Sequence, residues 1–353
     1  MLAAGFFVCD THQVKDTTDG NGVPDTSRPV FLVGAERSGS TLLRLMLDSH
    51  PNVTCCEGFE FMVAMVGDDG ARPSIEEYHH YLSTHAIFGS SQLVVDPTLE
   101  YDELVNDFFR QRLSASGKEI VAAMVHMDID RILHIWPEAR FIHLIRDPRD
   151  VALSVIAMGW FGNAYTAIDK WIHAEQGWDK LVGKLEADRW IELQFADLIS
   201  DHEGQLRRVC DFLGVDYTDQ MLSYADETEY GLPNPSRIGS WKGTMSDRDT
   251  QLVEGKVGSL LTERGFEPSG LEPMVPSSLD RSRIEIEGRL LLWKRRIDRF
   301  GLRLFIERGL ARVVPIPSYR RSVKLRFNAI ERSRRKRSWR DSGLEYSVAD
   351  EHG

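Results

Sequence analysis

Pro29-Val30-Phe31-Leu32-Val33-Gly34-Ala35-Glu36-Arg37-Ser38-Gly39-Ser40-Thr41-Leu42-Leu43 is the stretch on which the fold turns. An apolar run rich in β-branched residues enters a glycine-bounded turn, and Leu42, Leu43, Met46 and Leu47 follow at helical spacing. The order is therefore strand, loop, helix. Gly34 to Thr41 keeps the spacing G-x-x-x-x-G-K-[ST] of a phosphate-binding loop, but Ser40 stands in the lysine position and the basic residue comes earlier, at Arg37. In that context the amides of residues 37 to 41 point at an anion, the helix N-terminus adds partial positive charge, and Arg37 offers a planar, two-pronged partner. The plainer alternative is a tight turn with two glycines. It leaves the Arg-Ser-Gly-Ser-Thr run unexplained.

A nucleotide hydrolase would use the loop lysine and hold magnesium with an acid ending another strand. The best-placed acid here is Asp147, after Phe141-Ile142-His143-Leu144-Ile145, but Arg146 stands directly before it. A guanidinium repels a metal and attracts a second anion. Asp147-Pro148 reads as a helix cap followed by proline at the first helical position, which places Arg146 at the strand's carboxyl end and Ser154 about two turns into the helix. Ligands bind there in open α/β sheets. Taken alone, Arg146, Asp147, Arg149 and Asp150 would be a surface ion-pair turn. Paired with the first loop, they call for a ligand phosphorylated at two separated positions.

Glu36-Arg37-Ser38-Gly39-Ser40-Thr41 resembles the Pro-Arg-Ser-Gly-Thr-Thr loop of sulfotransferases that use 3′-phosphoadenosine 5′-phosphosulfate (PAPS). The segment from Arg140 to Ser154 resembles that family's 3′-phosphate segment, with Arg146 and Ser154 at the matching positions. Leu193-Gln194-Phe195-Ala196-Asp197-Leu198 is similar to a later Tyr-Glu-Asp-Leu segment, with Phe195 in place of tyrosine. Ser236-Arg237-Ile238-Gly239-Ser240-Trp241-Lys242 resembles the Gly-x-Trp-Lys loop that closes over the nucleotide. The likeness covers about residues 28 to 270. It implies a P-loop NTPase-like three-layer α/β sandwich with about five parallel strands. It also implies PAPS as cofactor, with the bisphosphate PAP as product, bound by Arg37, Ser38, Gly39, Ser40, Thr41, Arg146, Ser154, Phe195, Arg237, Trp241 and Lys242, and no metal. Glu36 departs from the family's proline and sets an acid beside the anion site, either paired with Arg37 or turned away.

Transfer of a sulfonate to a hydroxyl needs alignment, charge neutralisation and a base. Arg37 is placed to neutralise the leaving oxygens. Two residues fit the base: Glu57, after a His50-Pro51-Asn52-Val53 segment similar to the tyrosylprotein branch, and His126, at the end of the strand expected from Glu119 to Val125. The acceptor would be a sugar, lipid, small-molecule or tyrosine hydroxyl. The competing readings are a P-loop small-molecule kinase, and a catalytically inactive nucleotide-binding or membrane-docking protein, since the family's lysine near position 123 is absent. The segment holding Phe59, Phe61, Tyr78, His79, His80, Tyr81, His85 and Phe88 is expected to flank the cleft as an acceptor pocket, with packing in a helical core an equal alternative for any one of them.

At 353 residues with 42% hydrophobic side chains, the chain can hold one large α/β domain and an appendage. Four cysteines without metal-ligand spacing read as free thiols. The expected division is a flexible leader (1–27), a PAPS-binding domain (28–273), a basic amphipathic helical extension (274–340) and a tail (341–353). Between residues 281 and 340, twenty Lys/Arg face five Asp/Glu, a net of +15, which leaves −26 on the rest of a chain whose total is −11. Three roles fit that extension: packing over the acidic core or another subunit of a homo-oligomer, contact with an anionic membrane surface, or nucleic-acid binding. The last is disfavoured, because the remainder is acidic and no recognition motif occurs. With neither a membrane-spanning run nor a signal-peptide pattern, the expected location is cytoplasmic, with peripheral membrane contact through the extension.

Overall fold

The computed structural model describes residues 26–228 and 230–340. Cys9, the tail expected over 341–353 and all but the last two residues of the expected leader lie outside the described residues. Five short strands form one sheet: β1 (Val30–Val33), β2 (Val53–Cys56), β3 (Ile120–Met124), β4 (Arg140–Ile145) and β5 (Trp190–Gln194). They pair in the order β2-β3-β1-β4-β5, every pair parallel. Their nearly unbroken apolar runs follow from burial on both faces.

The helices that bear on the site and on the extension are α1 (Ser40–Asp48), α2 (Tyr101–Ser116), α3 (Pro148–Ala157), α4 (Asp169–Val182), α5 (Phe195–Ser200), α6 (His202–Leu213), α7 (Asp247–Val257), α8 (Ser278–Val313) and α9 (Pro317–Arg340). Helices α1 and α6 pack on Val30, Leu32, Ile142 and Leu144, while α2 and Trp178 of α4 pack on Phe31, Val33 and Phe141. Successive strand residues thus face opposite layers. The result is the expected three-layer sandwich. The chain leaves β1 toward β2 on one side and leaves β4 toward β5 on the other, although β1 and β4 are neighbours. That divergence opens a crevice at their carboxyl ends, where ligands bind in such sheets.

Local details differ from the sequence expectations. Phe195 opens α5 directly after β5, and α7 stops at Val257 before a short helical turn over Leu260–Glu263. Phe59, Phe61 and Tyr78 are core residues, 3%, 0% and 0% exposed, so they cannot line an acceptor pocket. Phe59 packs tilted on Phe61, Phe61 edge-on to Phe88 and Phe108, and Tyr78 edge-on to Tyr101 instead.

The basic extension is a helical hairpin. Helix α8 is broken at Gly301 (φ 79°), and α9 folds back along it, with Phe300 and Phe327 in ring contact at 4.3 Å. Its attachment to the domain is largely polar: Asn163 Nδ2 donates to the Ile284 carbonyl at 2.8 Å, Arg295 Nη1 to the Ile156 and Phe161 carbonyls at 2.9 Å, and Lys324 Nζ to Thr84 Oγ1 at 2.9 Å. Leu279, Ile286, Leu290 and Trp293 stay exposed on α8. Among the described residues no helix is long and apolar enough to cross a membrane.

Candidate active site

The loop after β1 leaves backbone and hydroxyl donors open at the start of α1. Gly39 caps α1 at φ 99°, ψ 9°, with no side-chain cap and no acid in the first helical turn. The N–H groups of Gly39, Ser40 and Thr41 therefore lack intrahelical acceptors. Ser38 is 1% exposed, and its Oγ has no hydrogen-bond partner. A buried hydroxyl in that state costs stability unless a ligand satisfies it. Close approach dictates both glycines: a Cβ at Gly34 would stand 2.3 Å from the Leu144 carbonyl oxygen, and one at Gly39 would stand 2.4 Å from the Phe195 ring. Arg37 adopts φ 74°, a left-handed conformation that non-glycine residues rarely hold. Such outliers concentrate at ligand sites.

Arg37 Nε donates to Ser154 Oγ at 3.1 Å, so the loop after β1 touches the helix after β4. Asp147 caps that helix as expected, accepting the Arg149 N–H at 2.9 Å, with Pro148 behind it. Arg146 fills the space between: Nη1 donates to the Arg37 carbonyl at 3.1 Å, Nη2 to the Arg237 carbonyl at 2.8 Å, and the guanidinium lies over Phe195 at 4.4 Å. Its buried Nε has no partner. Burial holds the Arg146 pKa below its ordinary value; Arg37 and Arg237 push the same way, and Asp150, at 3.8 Å, opposes them. Three guanidinium groups clustered this tightly favour an anion.

Asp150 fixes the third segment. Its carboxylate accepts the Gly239 and Trp241 N–H groups at 2.9 Å each and the Ser240 hydroxyl at 2.8 Å. Trp241 Nε1 donates to Asp147 Oδ2 at 3.1 Å, and the Arg149 guanidinium covers the indole at 3.8 Å. A cavity of about 620 Å³ opens beside this segment, lined by Arg146, Phe195, Gly239, Trp241 and Lys242. That is within the size of small-ligand sites. Lys242 is exposed on its wall, and Arg237, one residue before the lining Ile238, is exposed as well.

His126 reaches the loop from the other side. Its Nδ1 lies 2.8 Å from the Gly34 carbonyl oxygen and its Nε2 lies 3.2 Å from Ser40 Oγ. A carbonyl only accepts, so Nδ1 carries the proton and Nε2 presents a lone pair beside the anion cradle. Glu57 is exposed, whereas Glu60 turns inward, its Oε1 accepting the His126 N–H at 3.3 Å. Glu36 pairs with Lys170 and so leaves Arg37 alone. Glu36, His126, Asp128, Lys170 and His173 line a second cavity of about 400 Å³. Glu60, Lys170 and the clamp role of Asp150 were missed in the sequence, since each acts through contacts between distant segments.

A family model described as the sulfotransferase family matches residues 29–219, more than half of the chain. The chain belongs to the sulfotransferase family. This sulfotransferase is 22% identical over 284 residues to protein-tyrosine sulfotransferase A of Caenorhabditis elegans, a match that spans 74% of this chain and 73% of the relative. It is 28% identical over 316 residues to the omega-hydroxy-beta-dihydromenaquinone-9 sulfotransferase Stf3 of Mycobacterium tuberculosis, covering 70% of this chain and 79% of the relative. Among solved structures, the sulfotransferase domain of the Synechococcus PCC 7002 olefin synthase superposes with a TM-score of 0.50 at 20% identity, over 67% of this chain and 98% of that one. This sulfotransferase is thus an enzyme of sulfonate transfer on a five-stranded parallel α/β scaffold.

Proposed function

We propose that this enzyme takes PAPS as sulfonate donor and a hydroxyl compound as acceptor, with His126 as general base. The observation that carries the reading is the join between two anion cradles: Arg37 on Ser154, and Arg146 on the Arg37 carbonyl. A ligand with one anionic group would need one cradle. The loop N–H groups, Ser38 Oγ and Thr41 suit a 5′-phosphosulfate; Arg146, Ser154 and Arg237 suit a 3′-phosphate; Phe195, Trp241 and Lys242 border the space between for a nucleoside. When bound, the donor supplies an activated sulfonate on its 5′-phosphate.

The chain's own residues then have separable tasks. The Arg37 guanidinium keeps its two terminal nitrogens for the bridging and leaving oxygens while Nε rests on Ser154. His126 Nε2, held by the Gly34 carbonyl behind it, takes the acceptor's proton as the acceptor oxygen bonds to sulfur and the bond from sulfur to the 5′-phosphate oxygen breaks. Electrons of the broken bond stay on the phosphate, and Arg37 with the loop amides neutralises that charge. The acceptor hydroxyl takes the place of Ser40 Oγ at Nε2. Calorimetric titration tests the donor assignment. PAP is expected to bind in the micromolar range without magnesium and more tightly than ATP; tighter binding of magnesium–ATP would point to the kinase instead.

A further inference from the structure

The hairpin of α8 and α9 encloses a cavity of about 560 Å³ against the domain, lined by segments 86–90 and 159–161, by Lys170 and by both hairpin helices. Its wall has two characters. Ile87, Trp160, Phe161, Leu292, Phe300 and Phe327 make an apolar, largely aromatic surface. Lys170, Arg296, Arg299 and Arg308 add four cations, and among the described residues no carboxylate lines the cavity. Three of the four already have neighbours: Lys170 pairs with Glu36, Arg299 Nη1 donates to the Met158 carbonyl at 2.9 Å, and Arg308 lies over the Phe327 ring at 3.8 Å. Arg296 is half-buried, and among the described residues it makes no hydrogen bond or ion pair. Burial, reinforced by nearby Arg312, disfavours its charge. An anion entering the cavity would relieve that cost while an apolar body covered the rings.

Lys170 belongs to both this cavity and the one holding His126 and Glu36. Its pair with Glu36 sets this shared wall residue beside the loop after β1. We propose that the cavity under the hairpin binds an anionic amphiphile and that this molecule is the acceptor, its anionic group at Arg296 and Arg308, its apolar body on Trp160, Phe300 and Phe327, and its hydroxyl directed past Lys170 toward His126. The binding half stands on the cavity alone. The acceptor half rests on the sulfotransfer reading above, with the same bond changes.

Dodecyl phosphate, kept below its micelle concentration, probes the binding half by calorimetry. One site is expected, at least tenfold weaker in Arg296→Glu and restored to within threefold in Arg296→Lys, with PAP affinity unchanged in both as a check of folding. Equal dodecyl phosphate affinity in wild type and Arg296→Glu overturns the cavity assignment. The acceptor half is tested by turnover of 12-hydroxydodecyl phosphate and 1,12-dodecanediol with PAPS. Arg296→Glu is expected to raise KM for the phosphate at least tenfold, with kcat and the diol KM little changed. Binding of dodecyl phosphate without turnover of its hydroxylated form, in an enzyme that binds PAP, overturns the acceptor half and leaves the donor assignment standing. Failure of PAP itself to bind would instead sink the donor assignment.

Discussion

Arg37 Nε and Ser154 Oγ, 117 positions apart in the chain, meet at 3.1 Å across the crevice between β1 and β4. One hydrogen bond thus couples the loop after β1 to the helix after β4, the two segments proposed above to hold the ligand's separate anionic groups. Ser154→Ala removes both the partner of Arg37 and a proposed ligand donor. A lost hydrogen bond to a charged group is worth about 1.5–3 kcal/mol, roughly a ten- to hundredfold change in affinity. Calorimetry should show PAP binding weakened by that factor, with Arg37→Ala weaker still and without turnover. Unchanged PAP affinity in Ser154→Ala would refute a shared role.

His126→Ala is expected to lower kcat by about 10²- to 10⁴-fold, the usual range for a positioned acid–base group, and to leave PAP affinity within about twofold. Glu57 is exposed, and among the described residues no hydrogen bond or ion pair ties it to the loop or to His126, so Glu57→Ala should retain most activity. Steady-state rates on one acceptor decide between them. Full activity in His126→Ala together with a collapsed rate in Glu57→Ala would move the base to Glu57.

Gly39→Ala should damage the cradle through shape alone. The new methyl would overlap the Phe195 ring at 2.4 Å and strain a φ of 99°, a combined cost of about 1–3 kcal/mol. Thermal unfolding should register the loss, and PAP should bind at least about tenfold more weakly. Trimming the ring in the double variant with Phe195→Leu should recover part of the stability. Strict additivity of the two losses would show that the contact is not the cause.

His143, fully buried in β4, sets a pH dependence. Its Nδ1 meets Glu192 Oε2 at 3.1 Å, and its Nε2 faces Glu175 Oε2 at 3.5 Å, an ion contact without hydrogen-bond alignment. Burial alone would lower its pKa, but the two carboxylates outweigh burial and hold it above the ordinary 6.5. A group whose pKa is raised in the folded state binds its proton more tightly there than in the unfolded chain. Its contribution is complete below about pH 6.5 and fades as pH rises through the folded value. The Tm difference between wild type and His143→Asn should therefore shrink from pH 6 toward pH 9. A difference that grows over that range would contradict the charge assignment.

The exposed Leu279, Ile286, Leu290 and Trp293 stand among Arg281, Arg283, Arg289 and Lys294, all exposed. Apolar side chains set among cations complement an anionic lipid surface. Cosedimentation with phosphatidylglycerol vesicles is expected, with little on phosphatidylcholine and release at high salt. Trp293→Ser with Leu290→Ser should weaken it several-fold; equal pelleting with both lipids would argue against it.

Much of the candidate site's framework was legible because its motifs are local. Strand, glycine turn and amphipathic helix sit within fifteen consecutive residues, and the Asp147-Pro148 cap lies directly beside the Arg146 it orients. The acceptor region was misread for the opposite reason. Phe59, Phe61 and Tyr78 looked equally suited to a pocket wall and a core, and only packing against α2 and its neighbours shows that they are core.

The sequence by itself determined the parallel α/β scaffold, the glycine-bounded turn between β1 and α1 and the basic end of β4, because backbone donors, caps and hydrophobic period are properties of neighbouring residues. Only tertiary structure decided that Lys170 would take Glu36 away from Arg37, that His126 would turn Nε2 toward Ser40, and that the basic extension would fold into a hairpin over a cationic cavity. Those outcomes depend on which side chains meet across tens to hundreds of positions. Spacing along the chain holds no record of that.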